Sequence, residues 1–535
     1  MLDTAIIGGG LCGVALARYL HGQGKEFALF EARPRLGGRI YTVTDAKSGL
    51  AIDLGPTWFW PDRQPLMVQL VADLKLQDFL QHDEGIVLHL RDFDKNPEQI
   101  VGNQVHSGAR RLEGGMASLI AAVVKELPQE RFHLGHVLTE VKDASDHVVL
   151  MFRVGDHFSR IEAKRVVLAM PPRLVQEHIR FSPELDSATR TAMRDADTWM
   201  AAQAKVAISY DKPYWREAGQ SGNAFVTHEQ AMVGEIYDAC SIDGTKAALA
   251  GFVSLGPQHR KDFAVGLEVL FDSQMTMVFG QFGGAAVDSG TQYYQDWATE
   301  PFTCSSADLE PSMAEHVDFA NPMLRRPLWD GRLYLGGSET ASRGAGYLEG
   351  AIEAARRIER ELSRIFAAET EAKASDAAAM GGDISVNAAS LAQFNAWVSK
   401  QRDAAFDNYR LRLSRSLASQ EKEQLTQRAM LGSVEETWGK ALEVLNGLSF
   451  DTTHVSVEKG RSGLTPEVQK PFRDFIQSLV DDVVAFNRTS CALSNFPDEH
   501  HVSKEYMQVI YRDIAAAWQE FSISANRLLL DKNRP

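Results

Sequence analysis

Thr4-Ala5-Ile6-Ile7-Gly8-Gly9-Gly10-Leu11-Cys12-Gly13 begins with four residues that read as a short buried strand and runs through a glycine turn into an apolar helix, Val14 to Leu20. Gly8, Gly10 and Gly13 satisfy GxGxxG, and a second strand, Phe27-Ala28-Leu29-Phe30, ends in Glu31. Each part suits a dinucleotide. The first glycine makes the tight turn, the second lets a pyrophosphate approach the backbone, and the helix N-terminus offers free N–H groups. The acid lies where it reaches a ribose hydroxyl. The glycine pattern alone also fits an ordinary βαβ unit. Strand, turn, helix, second strand and terminal acid, in that order, point to a bound dinucleotide.

Past the acid the chain continues Ala32-Arg33-Pro34-Arg35-Leu36-Gly37-Gly38-Arg39-Ile40-Tyr41-Thr42, an extension for which nicotinamide dehydrogenases have no usual need. It resembles the flavin-binding opening of the flavin monoamine oxidase family, where the acid, the Gly-Gly pair and the arginine hold the adenosine and pyrophosphate of FAD. The resemblance implies cofactor contacts from Gly8, Gly10, Gly13, Glu31, Ala32, Arg33, Gly38 and Arg39. Gly55-Pro56-Thr57-Trp58 is similar to the family segment that passes close to the flavin ring, and a strand residue at the Val137 position contacts the adenosine through its backbone.

Two more stretches carry the resemblance. Lys205 opens the apolar strand Lys205 to Tyr210, and the Tyr-x-Lys-Pro-Tyr-Trp that follows resembles the family segment after its catalytic lysine. That lysine holds a water against flavin N5, and a nearby positive charge helps oxygen reoxidise the flavin. Taken alone, Lys205 also fits a surface lysine at a strand end. Gly336-Gly337-Ser338-Glu339-Thr340 through Tyr347-Leu348-Glu349-Gly350-Ala351 resembles the C-terminal flavin motif. It places Gly337 and Glu339 at the ribityl or pyrophosphate region and Tyr347 facing the substrate. Leu348 and Ala351 then open a helix whose positive N-terminal end faces flavin N1 and the C2 carbonyl. Tyr347 alone also fits a core tyrosine.

One departure bears on the cofactor's attachment. Animal monoamine oxidases carry, after a tryptophan, a cysteine that bonds the flavin and a tyrosine that completes an aromatic pair. Aligned on Trp297, those positions fall on Ser306 and Ala307, with Cys304 two residues early. FAD is therefore expected to be non-covalent and the aromatic cage incomplete.

Composition sets wider bounds. The chain's 535 residues require more than one domain, and 44% apolar with 24% charged residues is ordinary globular composition. Net charge is −15, from 56 basic and 71 acidic residues, which argues against nucleic acid or an anionic membrane as main partner and is compatible with a cationic substrate. Cys12, Cys240, Cys304 and Cys491 have no CxxC spacing, so neither a disulfide framework nor a zinc site is implied. No apolar run is long enough to span a bilayer, and the cofactor strand leaves no room for a leader. A cytoplasmic protein is expected. Asp498-Glu499-His500-His501 reads as a solvated loop rather than a metal site, and Arg63 as a surface arginine.

The expected fold class is α/β: a Rossmann-like FAD-binding domain, an α+β substrate domain and an all-helical C-terminal extension. The FAD-binding parts are 1–80, 111–174 and 311–366, and the substrate parts are 81–110 and 175–310. Residues 367–385 read as a linker and 386–535 as the extension, in which Thr465-Pro466 and Ser503 mark helix starts. A cap, a dimerisation element and a partner-binding module are all open for it. The expected activity is hydride removal from the α-carbon of a small amine to flavin N5. The imine is hydrolysed to a carbonyl compound and ammonia, and dioxygen is reduced to peroxide. An L-amino acid oxidase, a flavin desaturase and a non-catalytic FAD protein are the alternatives.

Overall fold

A computed structural model describes residues 1–102, 104–279, 291–310, 320–379, 386–418, 424–452, 455–458, 460–493 and 496–532. The chain divides into two compact units, Met1–Glu361 and Leu362–Pro535.

In the first unit the strand Leu2–Ile7 lies between Phe27–Glu31 and His157–Leu168, parallel to both. Ala5 and Ile6 are fully buried, as are Leu29 and Val167 opposite Ile6. Unbroken apolar runs of this kind are what a parallel sheet covered on both faces requires. The His157–Leu168 strand serves two partners. Its first half pairs antiparallel with Val148–Val154, and its second half runs parallel to Leu2–Ile7 and to Leu333–Leu335. His136–Asp143, which carries Val137, pairs with Val148–Val154, and Phe132–Leu134 extends the sheet beside Phe27–Glu31. Four segments far apart in sequence thus end at one edge of the nucleotide turn.

A second sheet, seven-stranded among the described residues, runs Gln292–Asp296, Ala204–Tyr210, Ala247–Val253, Val233–Asp238, Gln220–Val226, Ile86–Leu90 and Glu98–Ile100. Side chains alternate along its strands. Val206 and Ile208 pack toward a core that includes Phe271 and Met275 of the helix Leu267–Phe279, while Ala207 packs with Ile52, Leu54 and Tyr237.

The helix expected to open at Leu348 runs from Leu348 to Ala379. It takes in most of the stretch read as a linker, because alanine and glutamate are good helix formers; residues 380–385 of that stretch lie outside the described ones.

The second unit is helical, with Val386–Ser399, Gln401–Ala418, Leu425–Gly447, Arg473–Thr489 and Lys504–Asp531 around a core that includes Phe394, Tyr409, Trp438, Phe472 and Phe521. The start at Thr465 gives only Thr465–Gln469, and a tight turn at Lys470–Phe472 separates it from the longer helix. Pro471 lacks the N–H that an unbroken helix would need there. Ser503 caps its helix by accepting the Tyr506 N–H. The solvated loop expected at Asp498 to His501 is corrected. Glu499 is buried and accepts from the backbone N–H groups of Leu425 and Thr426, satisfying the start of another helix. Among the described residues no helix is long and apolar enough to cross a membrane, and no His, Cys, Asp and Glu cluster has the makings of a metal site.

Candidate active site

A cavity of about 1100 Å³ runs through the first unit. One end is built on the opening glycine turn. Gly8, Gly10, Glu31, Ala32, Arg33, Gly38, Arg39 and Val137 border it, as do Gly337, Glu339, Leu348 and Ala351. Gly13 does not. A Cβ there would stand 1.9 Å from the Gly8 carbonyl oxygen, so Gly13 lets the helix Leu11–Gly22 sit against the turn. At Gly10 a Cβ would meet nothing nearer than Gly38 Cα at 4.0 Å, and the space it would fill is cavity. Gly10 is also the N-cap of that helix and supplies no side chain to it, so first-turn N–H groups are left for an anion.

Two ion-paired carboxylates stiffen this end. Glu31 accepts the Gly9 N–H at 2.6 Å and the Arg33 N–H at 2.9 Å. Arg33 in turn bonds Glu300 and Thr303 and lies over the Phe302 ring. Arg39 donates to Glu339 and Ser338 and to the Trp199 carbonyl oxygen, tying the first and last cofactor motifs together. A backbone cradle without side chains, a helix N-terminus and a buried acid at the end of the second strand fit a dinucleotide such as FAD.

The other end is aromatic. Lys205 is 4% exposed and borders the cavity with Gly55, Pro56, Thr57 and Trp58. Its Nζ donates to the Gly55 carbonyl at 2.7 Å and to Thr57 Oγ1 at 2.6 Å. It lies 4.8 Å from the Phe252 ring centre, 5.3 Å from Tyr237 and 5.6 Å from Trp58. These contacts replace the water lost on burial. An ammonium has three N–H donors, and among the described residues the third meets no partner. Trp58 is fixed in turn, its indole N–H donating to Gln81, which bonds the Asp238 carbonyl. Trp297 holds the segment from behind by donating to the Leu54 carbonyl.

Tyr347 borders the same cavity, and its ring contacts Trp199 at 5.7 Å between centroids. Ser306 and Ala307 are not brought to the cavity; the Ala307 carbonyl accepts from Arg173 instead. Cys304 is also outside the lining, and burial, with Asp308 nearby, pushes its thiol up to about 12. Arg63 is exposed and outside it too.

Several bordering residues left no signal in the sequence. Phe252, Trp199, His106 and Glu235 sit in stretches without a motif; strand pairing delivers Phe252 and Glu235, and turns deliver Trp199 and His106. Lys205 stands opposite Phe252, and Phe252 opposite Glu235. His106 packs on Trp58 at 4.4 Å, with Nδ1 at 3.2 Å from Asp83 and Nε2 at 3.3 Å from Glu235. Burial alone lowers the pKa of this imidazole, but the two carboxylates outweigh it and leave the value raised.

A family model described as flavin containing amine oxidoreductase matches residues 11–101 and 89–358. The chain is 22% identical over 462 residues to amine oxidase [flavin-containing] A of Equus caballus, covering 68% of this chain and 85% of that one. It is 23% identical to amine oxidase [flavin-containing] B of Canis lupus familiaris, over 67% of this chain and 86% of the relative. Its fold is similar to that of a putrescine oxidase solved with putrescine, with a TM-score of 0.55, 20% identity and coverage of 68% and 98%. A cyclohexylamine oxidase from Brevibacterium oxydans IH-35A superposes with a TM-score of 0.55, at 19% identity, over 68% of this chain and 99% of that one.

Proposed function

The chain belongs to the flavin-containing amine oxidoreductases, and we propose that it oxidises a small amine at the aromatic end of the cavity, beside Lys205, Trp58, Phe252 and Tyr347. FAD is its cofactor. The bound flavin supplies two-electron redox chemistry, by which the amine loses a hydride from its α-carbon and becomes an imine that water hydrolyses to a carbonyl compound and ammonia. Dioxygen is the proposed acceptor, with peroxide as product.

The observation that carries this reading is Lys205. A lysine buried among three aromatic rings, with two N–H groups committed and one left at the cavity, suits holding a water and placing positive charge where oxygen is reduced. In this reading Trp58, Phe252 and Tyr347 exclude bulk water and orient a neutral amine. Gly8, Gly10, Gly38 and the helix that Gly10 caps hold the pyrophosphate, Glu31 takes the ribose, and Val137 meets the adenosine. Glu339 lies toward the ribityl chain, and Leu348 and Ala351 bring the positive end of their helix to the isoalloxazine.

Two observations favour an amine over an amino acid and a non-covalent over a bonded flavin. Among the described residues the arginines bordering the cavity are Arg33, Arg39 and Arg153, and each belongs with a cofactor segment: Arg33 and Arg39 with the opening motif, Arg153 opposite Val137 in the sheet. No described cysteine other than Cys12 borders it, and the Cys12 sulfur accepts the Gly337 N–H at 3.2 Å.

Anaerobic mixing of the purified flavoprotein with a panel of amines and amino acids is the test. Primary amines should bleach the flavin absorbance. Bleaching by amino acids alone, or by nothing in the panel, would overturn the reading. Acid precipitation should leave a yellow supernatant and a colourless pellet; colour retained by the pellet would refute the non-covalent cofactor.

A further inference from the structure

Three carboxylates border the cavity among the described residues: Glu31, Glu339 and Glu235. The first two are occupied. Glu31 is bound by two backbone N–H groups and Arg33, and Glu339 by Arg39. Glu235 differs in each respect. It borders the aromatic end, its side chain keeps 36% of its exposure, and its described partner is the His106 imidazole. His106 also faces Asp83, whose other oxygen contacts are the His106 N–H and the Asn223 amide. With the imidazole protonated, two carboxylates share one positive charge. The cluster therefore keeps a net negative charge at a cavity wall.

Its position relative to Lys205 is set by the sheet. Lys205, Phe252 and Glu235 occupy successive paired positions on three adjacent strands, so they project from one face. Neighbouring strands lie about 4.8 Å apart, which separates the Lys205 and Glu235 backbones by roughly 10 Å. Between them lie the rings of Phe252 and Trp58, with His106 against Trp58. From Lys205 outward the wall thus presents an amino group, an apolar aromatic stretch and a carboxylate.

We infer that the preferred substrate carries two amines joined by an aliphatic chain, an α,ω-diamine or polyamine. One nitrogen is oxidised beside Lys205, the methylenes lie along Trp58 and Phe252, and the far ammonium pairs with Glu235. The inference rests on the amine-oxidase reading above and narrows it. A monoamine would fill the same aromatic stretch and leave the net negative charge of the Glu235, His106 and Asp83 cluster uncompensated. The far ammonium gains a charge-assisted hydrogen bond that the wall already provides.

The experiment compares flavin reduction of the holoenzyme by diaminobutane and butylamine, and by diaminohexane and hexylamine. At least one diamine should give a kcat/KM roughly tenfold or more above the monoamine of its length. In Glu235→Gln that ratio should collapse toward one, mostly through KM, and Glu235→Asp should restore part of it. Bound FAD and thermal midpoint, measured on each variant, separate this from loss of structure. Equal rates for monoamines and diamines in the wild type would overturn the diamine inference while sustaining amine oxidation. An unchanged ratio in Glu235→Gln, or an equal loss for both substrates, would reduce Glu235 to a support for His106 and Trp58. No bleaching by any of the four would instead count against the amine-oxidase reading itself.

Discussion

The two ends of the cavity are built on opposite principles. At the nucleotide end the walls are backbone and paired charge: a glycine turn, a helix N-terminus, and Glu31 and Glu339 locked to Arg33 and Arg39. At the amine end they are aromatic side chains from strands and loops, with one lysine and one carboxylate whose bonds are not all used within the protein. A group bound at the first end meets a site already shaped, with its carboxylates satisfied and the helix N–H groups open to an anion. A group bound at the second meets unspent hydrogen-bonding capacity in an apolar setting, where each polar contact counts for more. In the proposed reading, binding is concentrated at one end and discrimination at the other.

Damage to the nucleotide end should be the most severe. Gly13→Ala forces a Cβ against the Gly8 carbonyl, and backbone cannot yield as a side chain does. We expect a loss of about 3 kcal/mol of stability and a protein purified without flavin. A yellow Gly13→Ala variant of normal thermal midpoint would show that the turn tolerates a side chain.

Lys205→Met tests the other end. It should keep its flavin, because Lys205 lies away from the glycine turn, yet react with oxygen roughly 100-fold more slowly in stopped flow. Loss of flavin with no specific kinetic defect would erase the contrast between the ends.

Glu31→Gln is a milder challenge to the nucleotide end. One amide oxygen can still accept, but the amide nitrogen then confronts either the Gly9 or the Arg33 N–H. FAD binding should weaken by about 2 kcal/mol, read by flavin release on dilution, while kcat of the loaded enzyme changes little. A kcat effect larger than the binding effect would contradict the separation of roles.

The smallest effect belongs to His106. Its folded-state pKa is raised above the ordinary 6.5, so its stabilisation is complete below that value and is lost as pH rises through the folded-state pKa. The gap in thermal midpoint between wild type and His106→Gln should therefore narrow as pH increases past 6.5. A gap that widens would mean that the imidazole is held neutral.

This contrast also governs what the sequence discloses. The glycine turn, Glu31 and the Gly337 to Ala351 stretch are legible because each is a local device: the residues that make it are neighbours in the chain. Lys205 is legible through the strand and aromatic pair that follow it. Phe252 and Glu235 are not, because pairing registers bring them together and no spacing along the chain encodes a register; Trp199 and His106 are not, because they sit in turns whose place is set by tertiary packing. Ala307 shows the converse limit. Counting residues from Trp297 places it at the substrate, but a turn at Ser306–Leu309 carries it to Arg173. In the helical unit, the helix start read at Thr465-Pro466 does not disclose the break at Pro471, and Glu499 reads as solvated because its backbone partners lie about seventy residues earlier.

The strand Leu2–Ile7 is the first made, yet its neighbours include His157–Leu168, beyond which lies Leu333–Leu335. On a ribosome one edge can pair early with Phe27–Glu31, but the other must wait for a partner more than 150 residues downstream, and Leu333–Leu335 joins only after residue 335 has emerged. Contacts this distant in sequence form slowly. The nascent chain consequently holds one edge of an apolar strand pair open for much of its synthesis, and the cavity wall is complete only when the last strand and the helix from Leu348 are in place.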